Sequence, residues 1–327
     1  MPHKQPYISE ANINHISAKR ISIIILSWNT KDLLKRCLRS IYDGYTIDTH
    51  RYKDINRYKL EIIVVDNGST DGSVEMLKEL QTQNSELRTI FSQSNLGFAK
   101  GNNQGIKTAN GELVMLLNSD TIVQKGAIEK LVGFYQEQKN KNLAFSPLLL
   151  NQDGTIQQQY YLKFPNLWQI LFYHNPFLRF LIMKTFLRKL IVNDLRKVQK
   201  DEPFELSPLQ GAALMAPKEV WQKVGGLDED YHFLFEDVDW SWRAQKAGVK
   251  LFLVPQAKVT HFGGASWQKK NPKVDFNFYC QHFDSFLLFV RKNYGKGKEK
   301  IYHRALLLNF FTRGKLKLFG YFLKNKN

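Results

Sequence analysis

Hydrophobic residues in the first half of the chain fall into short runs rich in Ile, Leu and Val, each followed by a stretch with helical spacing. Runs of this kind, bounded by polar turns, predict buried strands. The predicted strands are 21–26, 60–65 and 113–117. The predicted helices cover about 31–42, 74–80 and the apolar positions Ile128, Leu131, Val132 and Tyr135. Strands alternating with helices predict an α/β fold with a mixed, mostly parallel sheet flanked by helices.

The second half of the chain has a weaker pattern. We predict a further strand at 210–215 and a helix over 233–247. A strand over 249–254 follows, and Pro255 is expected to end it because proline cannot donate to a sheet ladder. From about residue 276 onward we expect helices.

The net charge of +17 is concentrated in two segments that are also rich in Leu, Ile and Phe. Residues 164–200 contain seven Lys or Arg and one Asp or Glu, and residues 286–327 contain eleven and one. Cations interleaved with large apolar side chains suit an anionic membrane surface. The same charge could face nucleic acid or belong to two solvated helical faces. Because no RNA-binding signature is present, we expect no nucleic-acid partner.

Cysteine usage and the length of the apolar runs bear on location. The two cysteines, Cys37 and Cys280, form no disulfide framework and fit a reducing cytoplasm. The first apolar run is too short for a signal peptide, and polar residues interrupt the best spanning candidate, 167–183. The sequence therefore predicts a cytoplasmic protein that lies peripherally on the inner face of the cell membrane.

Polar side chains follow the predicted strands at the points where ligands bind in open α/β sheets. Asn29 lies in the segment Ser-Trp-Asn-Thr, and Asp66 opens the segment Asp-Asn-Gly-Ser-Thr-Asp-Gly-Ser. A carboxylate at such a position can accept hydrogen bonds from a base N–H or from ribose hydroxyls. Asp-Asn-Gly alone is an ordinary turn, so the interpretation depends on the other segments.

A second segment, 95–106, reads Asn-Leu-Gly-Phe-Ala-Lys-Gly-Asn-Asn-Gln-Gly-Ile. Its glycine spacing predicts a loop that packs under a nucleotide and leads into a helix. Lys100 could neutralise a phosphate and Asn102 could bond to ribose, or the segment could be a surface loop. It lacks the Gly-Lys-Ser/Thr ending of a Walker loop.

Two further segments contain acidic residues. The third strand ends in Asn-Ser-Asp at 118–120, and residues 235–243 read Phe-Glu-Asp-Val-Asp-Trp-Ser-Trp-Arg. In the second of these, Asp239 and Arg243 are four apart on a predicted helix and are expected to form a structural pair. The acids could also simply face the dipole at a helix N-terminus. His261 precedes two glycines that permit close approach to a ligand.

Taken together, these segments resemble an inverting glycosyltransferase of family 2 with the GT-A fold, and they look closest to its rhamnosyltransferase-like members. The resemblance covers about residues 20–267. It implies that a donor nucleotide is bound by residues of the strand ends and loops. These are Ser27, Trp28, Asn29, Asp66, Asn67, Gly97, Lys100, Asn102, Asn118 and Ser119.

The resemblance also implies a metal site and a catalytic base. Asp120 and His261 would bind Mg²⁺ or Mn²⁺, while Asp237 would be the base, with Glu236 as the alternative. Asn118 occupies the first position of the family's Asp-x-Asp motif. A neutral amide binds a hard cation more weakly than a carboxylate does, so this substitution brings strict metal dependence into question.

The expected domain organisation follows from this resemblance. We expect a loose leader at 1–19, a GT-A catalytic domain at 20–270 and a basic helical tail at 271–327. The domain divides into a nucleotide-binding half, 20–125, and an acceptor half, 126–270, which includes the basic apolar helical segment 164–200.

The expected reaction moves a sugar from a nucleotide-sugar donor, dTDP-rhamnose or a UDP-sugar, to a hydroxyl of a glycan or lipid-linked acceptor. Its setting would be cell-surface polysaccharide synthesis. A sugar nucleotidyltransferase has the same need for a nucleotide and a metal and is the alternative enzyme class. A basic nucleic-acid-binding protein is the alternative that is not an enzyme.

Overall fold

The computed structural model describes most of the chain. The described residues are 20–47, 58–157, 163–173, 180–181, 184–190, 192–193, 195–232, 234–263 and 276–324. The predicted leader, residues 1–19, lies outside them, as does most of the link between the sheet and the last helices.

The first half of the chain forms a parallel sheet with helical crossovers. Its strands are β1 (Arg20–Ser27), β2 (Lys59–Asp66), β3 (Leu87–Phe91) and β4 (Leu113–Asn118), in the order β3-β2-β1-β4. The intervening helices are α1 (Lys31–Ile47), α2 (Ser73–Gln83) and α3 (Phe98–Thr108). The Ile, Leu and Val runs of β1, β2 and β4 are almost fully buried, because helices cover the faces of a parallel sheet.

The second half extends the same sheet with mostly antiparallel pairings. Its strands are β5 (Thr121–Val123), β6 (Leu143–Leu150), β7 (Phe204–Glu205), β8 (Ala213–Pro217) and β9 (Lys250–His261). They continue the order as β4-β8-β6-β9-β5, with β7 on the side of β9. The helices of this half are α4 (Ala127–Glu137), α5 (Lys218–Val224) and α6 (Glu236–Lys246). The mixed α/β class is confirmed, and the parallel pairings dominate in the first half.

Two predicted boundaries are wrong. The strand expected at 249–254 does not end at Pro255 but runs on to His261. The pairing between β6 and β9 shifts register at Pro147/Leu148 and resumes at Lys258, so Pro255 lies in a bulge that needs no N–H. The helix expected from residue 233 begins only at Glu236, because Leu234 and Phe235 have positive φ angles of 60° and 73°.

The last described helices are α7 (Phe276–Tyr294), α8 (Lys296–Thr312) and α9 (Leu316–Lys324). They build a second apolar cluster that also contains Ile170 and Tyr231 from the acceptor half. The expected tail is therefore packed against the rest of the chain. In contrast, the described parts of the segment 164–200 contain only short helical turns, at Gln169–Tyr173, Phe186–Leu190 and Leu195–Lys200. None of the helices described is long and apolar enough to span a bilayer.

Candidate active site

The strand ends of the parallel half meet at one edge of the sheet. Ser27 and Asp66 are register partners at the ends of β1 and β2, and Leu26 is paired with Asn118 at the end of β4. Parallel strands present their carboxyl ends together, so the polar residues that follow them converge.

The loop after β1 is held against the loop after β2 by backbone and side-chain hydrogen bonds. The N–H of Asn29 donates to Ser69 Oγ at 2.9 Å, and the N–H of Thr70 donates to Asn29 Oδ1 at 2.8 Å. Asn29 adopts a φ of 53°, a conformation that asparagine tolerates better than most residues. Trp28, just before it, is 36% exposed and is available to a ligand.

Asp66 is a buried carboxylate with one unused oxygen. Its Oδ2 accepts the N–H of Ser69 at 3.0 Å, whereas Oδ1 has no hydrogen-bond partner within the described part of the chain. A buried polar atom without a partner is costly, and a carboxylate oxygen accepts only from N–H or O–H donors. Asp66 therefore suits a ligand that carries such donors.

Asn67 organises the neighbouring loop. Its amide donates to Asn95 Oδ1 at 2.9 Å and to the carbonyl of Gly97 at 3.3 Å, and its Oδ1 accepts the N–H of Leu96 at 2.9 Å. These contacts give Asn67 a positioning role in the structure, and its direct contact with a donor stays a prediction.

The glycines of the segment 95–106 serve helix packing, which revises the expectation of a loop packed under a nucleotide. A Cβ on Gly101 would lie 2.4 Å from a methyl carbon of Leu26, and one on Gly105 would lie 2.4 Å from a methyl carbon of Ile24. Both glycines therefore allow α3 to lie directly on β1. Only Gly97, with a φ of 84°, lies in the loop before the helix.

Lys100 and Asn102 lie on different faces of α3. Lys100 is exposed in the first turn, where a phosphate could be reached. Asn102 is 1% exposed, and its amide donates to the carbonyl of Phe98 within the helix at 3.0 Å. This placement gives no support to the predicted ribose contact of Asn102, because its side chain faces the interior.

Three hydroxyls connect the end of β1 to the acidic turn after β4. Thr30 Oγ1 lies 3.0 Å from Ser27 Oγ and 2.9 Å from Ser119 Oγ. All three residues are buried. Ser27 and Ser119 therefore fix the relative position of two loops, and Thr30, which the sequence pattern did not single out, connects them.

Asp120 and His261 come together because β5 and β9 pair with Thr121 opposite His261. The imidazole Nε2 of His261 lies 3.2 Å from Asp120 Oδ1 and 3.3 Å from the amide of Asn118. The N–H of Phe262 donates to the carbonyl of Asp120 at 2.9 Å, which fixes the two segments at this point.

Gln157 sets the tautomer of His261. Its amide nitrogen donates to the backbone carbonyl of His261 at 2.8 Å, so its Oε1 is the atom that lies 3.0 Å from Nδ1. Nδ1 must then carry a hydrogen, so in the neutral ring Nε2 presents a lone pair, which lies near both the donating amide nitrogen of Asn118 and Asp120 Oδ1. A cation near Nε2 and Oδ1 would be attracted to both atoms.

The donor set fits a divalent cation that is shared with a ligand. One carboxylate and one imidazole leave room for oxygens from a diphosphate and water. Within the described ranges, no group of three or more His, Cys, Asp and Glu residues could hold a metal on its own. Asp120 and His261 are therefore the residues that would hold a metal, with Asn118 beside them.

The acidic pair Glu236–Asp237 opens helix α6, directly after the two residues with positive φ. Asp237 is half-buried, and its two carboxylate oxygens accept the N–H of Gly211 at 2.7 Å and of Val238 at 2.8 Å. Glu236 is buried, and its Oε2 has no partner among the described residues. Strained backbone conformations of this kind concentrate at functional sites.

The environments of the two carboxyl groups separate their roles. Burial, and then the neighbouring Asp237 carboxylate, raises the pKa of Glu236 to about 8. Burial also raises the pKa of Asp237, but the N–H groups of Gly211 and Val238 oppose that rise. Near neutral pH Glu236 is therefore mostly protonated, whereas the carboxylate of Asp237 is the member of the pair that two backbone N–H groups stabilise.

Backbone contacts join this pair to the strand ends. The N–H of Asn118 donates to the carbonyl of Ala212 at 2.9 Å, and the preceding residue, Gly211, bonds to Asp237. A Cβ on Gly211 would lie only 3.0 Å from that of Asp237. A chain of hydrogen bonds thus runs from Asp237 through Gly211 and Ala212 to Asn118. The side chain of Asn118 in turn contacts His261, which lies beside Asp120.

The predicted structural pair in the same helix is confirmed. Asp239 is buried and accepts from Arg243 Nε at 2.7 Å, from Asn293 at 2.8 Å and from the hydroxyl of Tyr231 at 3.2 Å. All of these contacts are internal, so Asp239 holds the loop before α6 in place.

Comparison with known proteins gives a family match and several related glycosyltransferases. The family model that is described as glycosyl transferase family 2 matches residues 22–190. Glycosyltransferase GlyG of Streptococcus pneumoniae serotype 4 is 33% identical over 122 residues, which is 37% of this chain and 36% of that protein. The putative teichuronic acid biosynthesis glycosyltransferase TuaG of Bacillus subtilis is 29% identical over 138 residues, 41% of this chain and 49% of that protein. The chain thus matches less than half the length of these two relatives.

Solved structures support the fold. A crystal structure of GalNAc-T7 with UDP, GalNAc and Mn²⁺ superposes with a TM-score of 0.57 at 17% identity, covering 84% of this chain and 48% of that one. A crystal structure of residues 1–349 of S. aureus TarS gives a TM-score of 0.51 at 15% identity, covering 89% and 80%. At these identities the likeness establishes the GT-A architecture alone.

Proposed function

Since the chain belongs to glycosyl transferase family 2 and is a glycosyltransferase, we propose that it works by a single inverting displacement. In this reaction a sugar passes from a nucleoside diphosphate donor to a hydroxyl of a glycan or lipid-linked acceptor. The observation that carries the proposal is the half-buried carboxylate of Asp237, which two backbone N–H groups hold beside the strand ends.

Asp66 and Trp28 form the donor end of the proposed site. The free oxygen of Asp66 accepts a hydrogen bond from the base or the ribose, and the exposed ring of Trp28 offers a face for stacking. Lys100 is exposed in the first turn of α3 and balances phosphate charge there. Hydrogen bonds made by Asn29, by the side chain of Asn67 and by the carbonyl of Gly97 keep these loops in place.

Asp120 and His261 would hold a divalent cation, Mg²⁺ or Mn²⁺, which would neutralise charge on the leaving diphosphate. The tautomer that Gln157 imposes on His261 directs the Nε2 lone pair to that position. Asn118 contributes its amide beside the imidazole, where it orients water or ribose.

Asp237 takes the proton of the acceptor hydroxyl as its oxygen attacks the anomeric carbon of the sugar. The bond from that carbon to the diphosphate breaks, and the diphosphate leaves with the electron pair. Since a diphosphate is a good leaving group, one protein base suffices, in contrast to the two carboxyl groups of glycoside hydrolysis. Attack from the side opposite the leaving group inverts the anomeric configuration.

The proposed setting is the synthesis of a cell-surface polysaccharide on the inner face of the cell membrane. The name of the Bacillus subtilis relative, which refers to teichuronic acid biosynthesis, supports this setting. The two cysteines are buried and unbridged, which is compatible with a reducing compartment. The proposed donors are dTDP-rhamnose and UDP-sugars.

A panel of nucleotide-sugars tests the proposal. Each donor is incubated with the full chain, with and without Mn²⁺, and thermal stabilisation and slow donor hydrolysis are measured. We expect at least one donor to stabilise the protein and to release nucleoside diphosphate. Release of pyrophosphate or nucleoside monophosphate instead would indicate nucleotidyl transfer and would contradict the proposal. With an active donor and an acceptor, NMR of the product linkage tests the inversion.

A further inference from the structure

Helix α8 has large apolar side chains on two opposite faces, and the other described residues of the chain pack against only one of these faces. The covered face packs into the second apolar cluster through Tyr302, Leu306 and Phe310. The opposite face presents Ile301, Leu308 and Phe311, which are 54%, 58% and 60% exposed. Three large apolar side chains exposed on one face of a helix are typical of a surface that meets a further apolar environment.

Helix α9 extends this open face. Leu316 and Leu323 are 64% and 45% exposed and lie seven residues apart, which places them on one side of the helix. The ring of Phe311 packs against Phe319 of α9 with centroids 5.6 Å apart, so the two helices are joined at this point.

Cations surround these apolar residues, and carboxylates are missing. From Lys300 to Lys324 the sequence contains six Lys or Arg and no Asp or Glu. Arg304 lies between Ile301 and Leu308 on the open face of α8, and Lys315 and Lys317 flank Leu316. We call the surface formed by Ile301, Arg304, Leu308, Phe311, Lys315, Leu316 and Lys317 the docking face.

We propose that the docking face binds the surface of an anionic phospholipid bilayer. Apolar side chains interleaved with cations match an acyl boundary below a layer of anionic headgroups. A second copy of the chain fits less well, because the same face opposed to itself would bring cations against cations without a single carboxylate between Lys300 and Lys324.

Helix α7 connects the docking face to the loop before the candidate base. Lys292 Nζ contacts Asp228 at 2.6 Å and Asp230 at 2.5 Å, and Asn293 donates to Asp239 at 2.8 Å. A bilayer bound to α8 and α9 would therefore be held at a fixed position relative to helix α6. The proposal itself rests on the surface and not on the reaction.

Sedimentation of the full chain with lipid vesicles tests this proposal without the use of catalysis. The vesicles are phosphatidylcholine alone or a mixture of phosphatidylcholine and phosphatidylglycerol. We expect wild-type protein to sediment with the mixed vesicles and to be released by high salt, because the attraction to anionic lipid is screened.

Two variants remove the two parts of the docking face. In the first variant, Arg304, Lys315 and Lys317 are all changed to Gln. Each cation near an anionic surface strengthens partitioning onto the membrane by about fivefold, so we expect the triple variant to bind about a hundredfold more weakly. In the second, Leu308, Phe311 and Leu316 are all changed to Ser. It should lose sedimentation even at low salt, because the insertion of apolar side chains is absent.

A matched control separates the docking face from net charge. Lys35, Lys107 and Lys139 are exposed and lie outside helices α7, α8 and α9, and their joint change to Gln removes the same charge. This control should sediment like wild type. Circular dichroism checks that each variant is folded, and thermal stabilisation by whichever nucleotide-sugar binds the wild-type protein is measured separately.

The proposal is overturned if wild-type protein stays in the supernatant with anionic vesicles, or if both docking-face variants sediment as the control does. Light scattering without lipid measures whether the protein is a monomer or a dimer, and this result also decides between the two occupants. A dimer that dissociates when Leu308, Phe311 and Leu316 become Ser, together with absent vesicle binding, would assign the face to a second copy of the chain.

Discussion

Changing Asp237 to Asn removes the proposed base while keeping the size of its side chain. In the structure both carboxylate oxygens of Asp237 accept backbone N–H groups, from Gly211 and Val238. An Asn side chain can accept only one of these through its oxygen, and its amide group then faces the other donor. An unsatisfied group of this kind costs about 1–3 kcal/mol, less than the 5–15 kcal/mol that keeps a typical domain folded.

The catalytic loss should be larger than this structural effect. A positioned general base contributes roughly 10²–10⁴-fold to the rate, or about 3–5 kcal/mol in the activation free energy. We therefore expect kcat for transfer to fall by at least a hundredfold in Asp237→Asn, while the donor Kd changes little because the nucleotide residues are untouched. The assay follows released nucleoside diphosphate with acceptor present, and calorimetry measures donor binding.

Glu236→Gln is the matched control, because it changes the neighbouring carboxyl group by the same chemistry. Burial and the charge of Asp237 raise the pKa of Glu236 to about 8, so near neutral pH Glu236 is mostly protonated and Gln resembles it. We expect kcat near pH 7 to stay within about threefold of wild type. The plot of wild-type kcat against pH should show an inflection near pH 8, where Glu236 loses its proton. This inflection should be absent from the plot for Glu236→Gln. A hundredfold loss in Glu236→Gln with near-normal rates in Asp237→Asn would refute the assignment and make Glu236 the base.

Three further predictions concern other parts of the site and the sheet. Gly211→Ala places a Cβ 3.0 Å from that of Asp237. We expect kcat to fall at least tenfold at unchanged donor Kd, measured in the same two assays. An unchanged kcat would show that Asp237 can shift to accommodate the methyl group without loss of function. His261→Ala removes one of the two candidate ligands, so the Mn²⁺ concentration for half-maximal donor stabilisation should rise by about tenfold or more; an unchanged metal response would place the metal elsewhere. Burial raises the pKa of Glu61, but hydrogen bonds from Ser22, Asn110 and Arg88 outweigh this effect and lower the pKa from 4.5 to about 2. The ionised carboxylate therefore stabilises the fold fully above pH 4.5, and this contribution is lost as the pH falls toward 2. Glu61→Gln should therefore reduce the free energy of unfolding in urea by up to about 3 kcal/mol at pH 7 and by less at pH 3; an equal reduction at both pH values would contradict this.

The parallel half could be predicted from sequence because its signal is local. The runs in β1, β2 and β4 consist of residues buried on both faces, so the hydrophobic pattern alone marks them. Strand β3 was missed because it is half-buried and reads Leu-Arg-Thr-Ile-Phe. Strand β6 was missed because Pro147 lies inside it, at the register shift with β9. In both cases the tertiary pairing decides the structure, and no local pattern reports it.

The candidate site shows the same division. The segments that contain Asp66, Asp120 and Asp237 could be found by their residue types and their positions after strands or at a helix start. The residues that position them could not. Gly211 was only part of an indistinct strand pattern, yet its N–H holds Asp237 and its lack of a side chain makes room for it. Thr30 also lacked any signal beyond its place in a loop.

Gln157 shows most clearly why such residues escape sequence reasoning. It lies in an irregular segment after β6, 104 positions before His261, and reaches it only because β9 pairs with both β6 and β5. Its two hydrogen bonds use both ends of one amide, and together they decide which nitrogen of His261 is free to bind a cation. The proposed cation site at Asp120 therefore depends on an uncharged side chain that would not itself be a ligand. This also bears on Asn118: with a neutral amide where the family motif has a carboxylate, the affinity of the proposed site for a metal would rely more heavily on how well His261 is held.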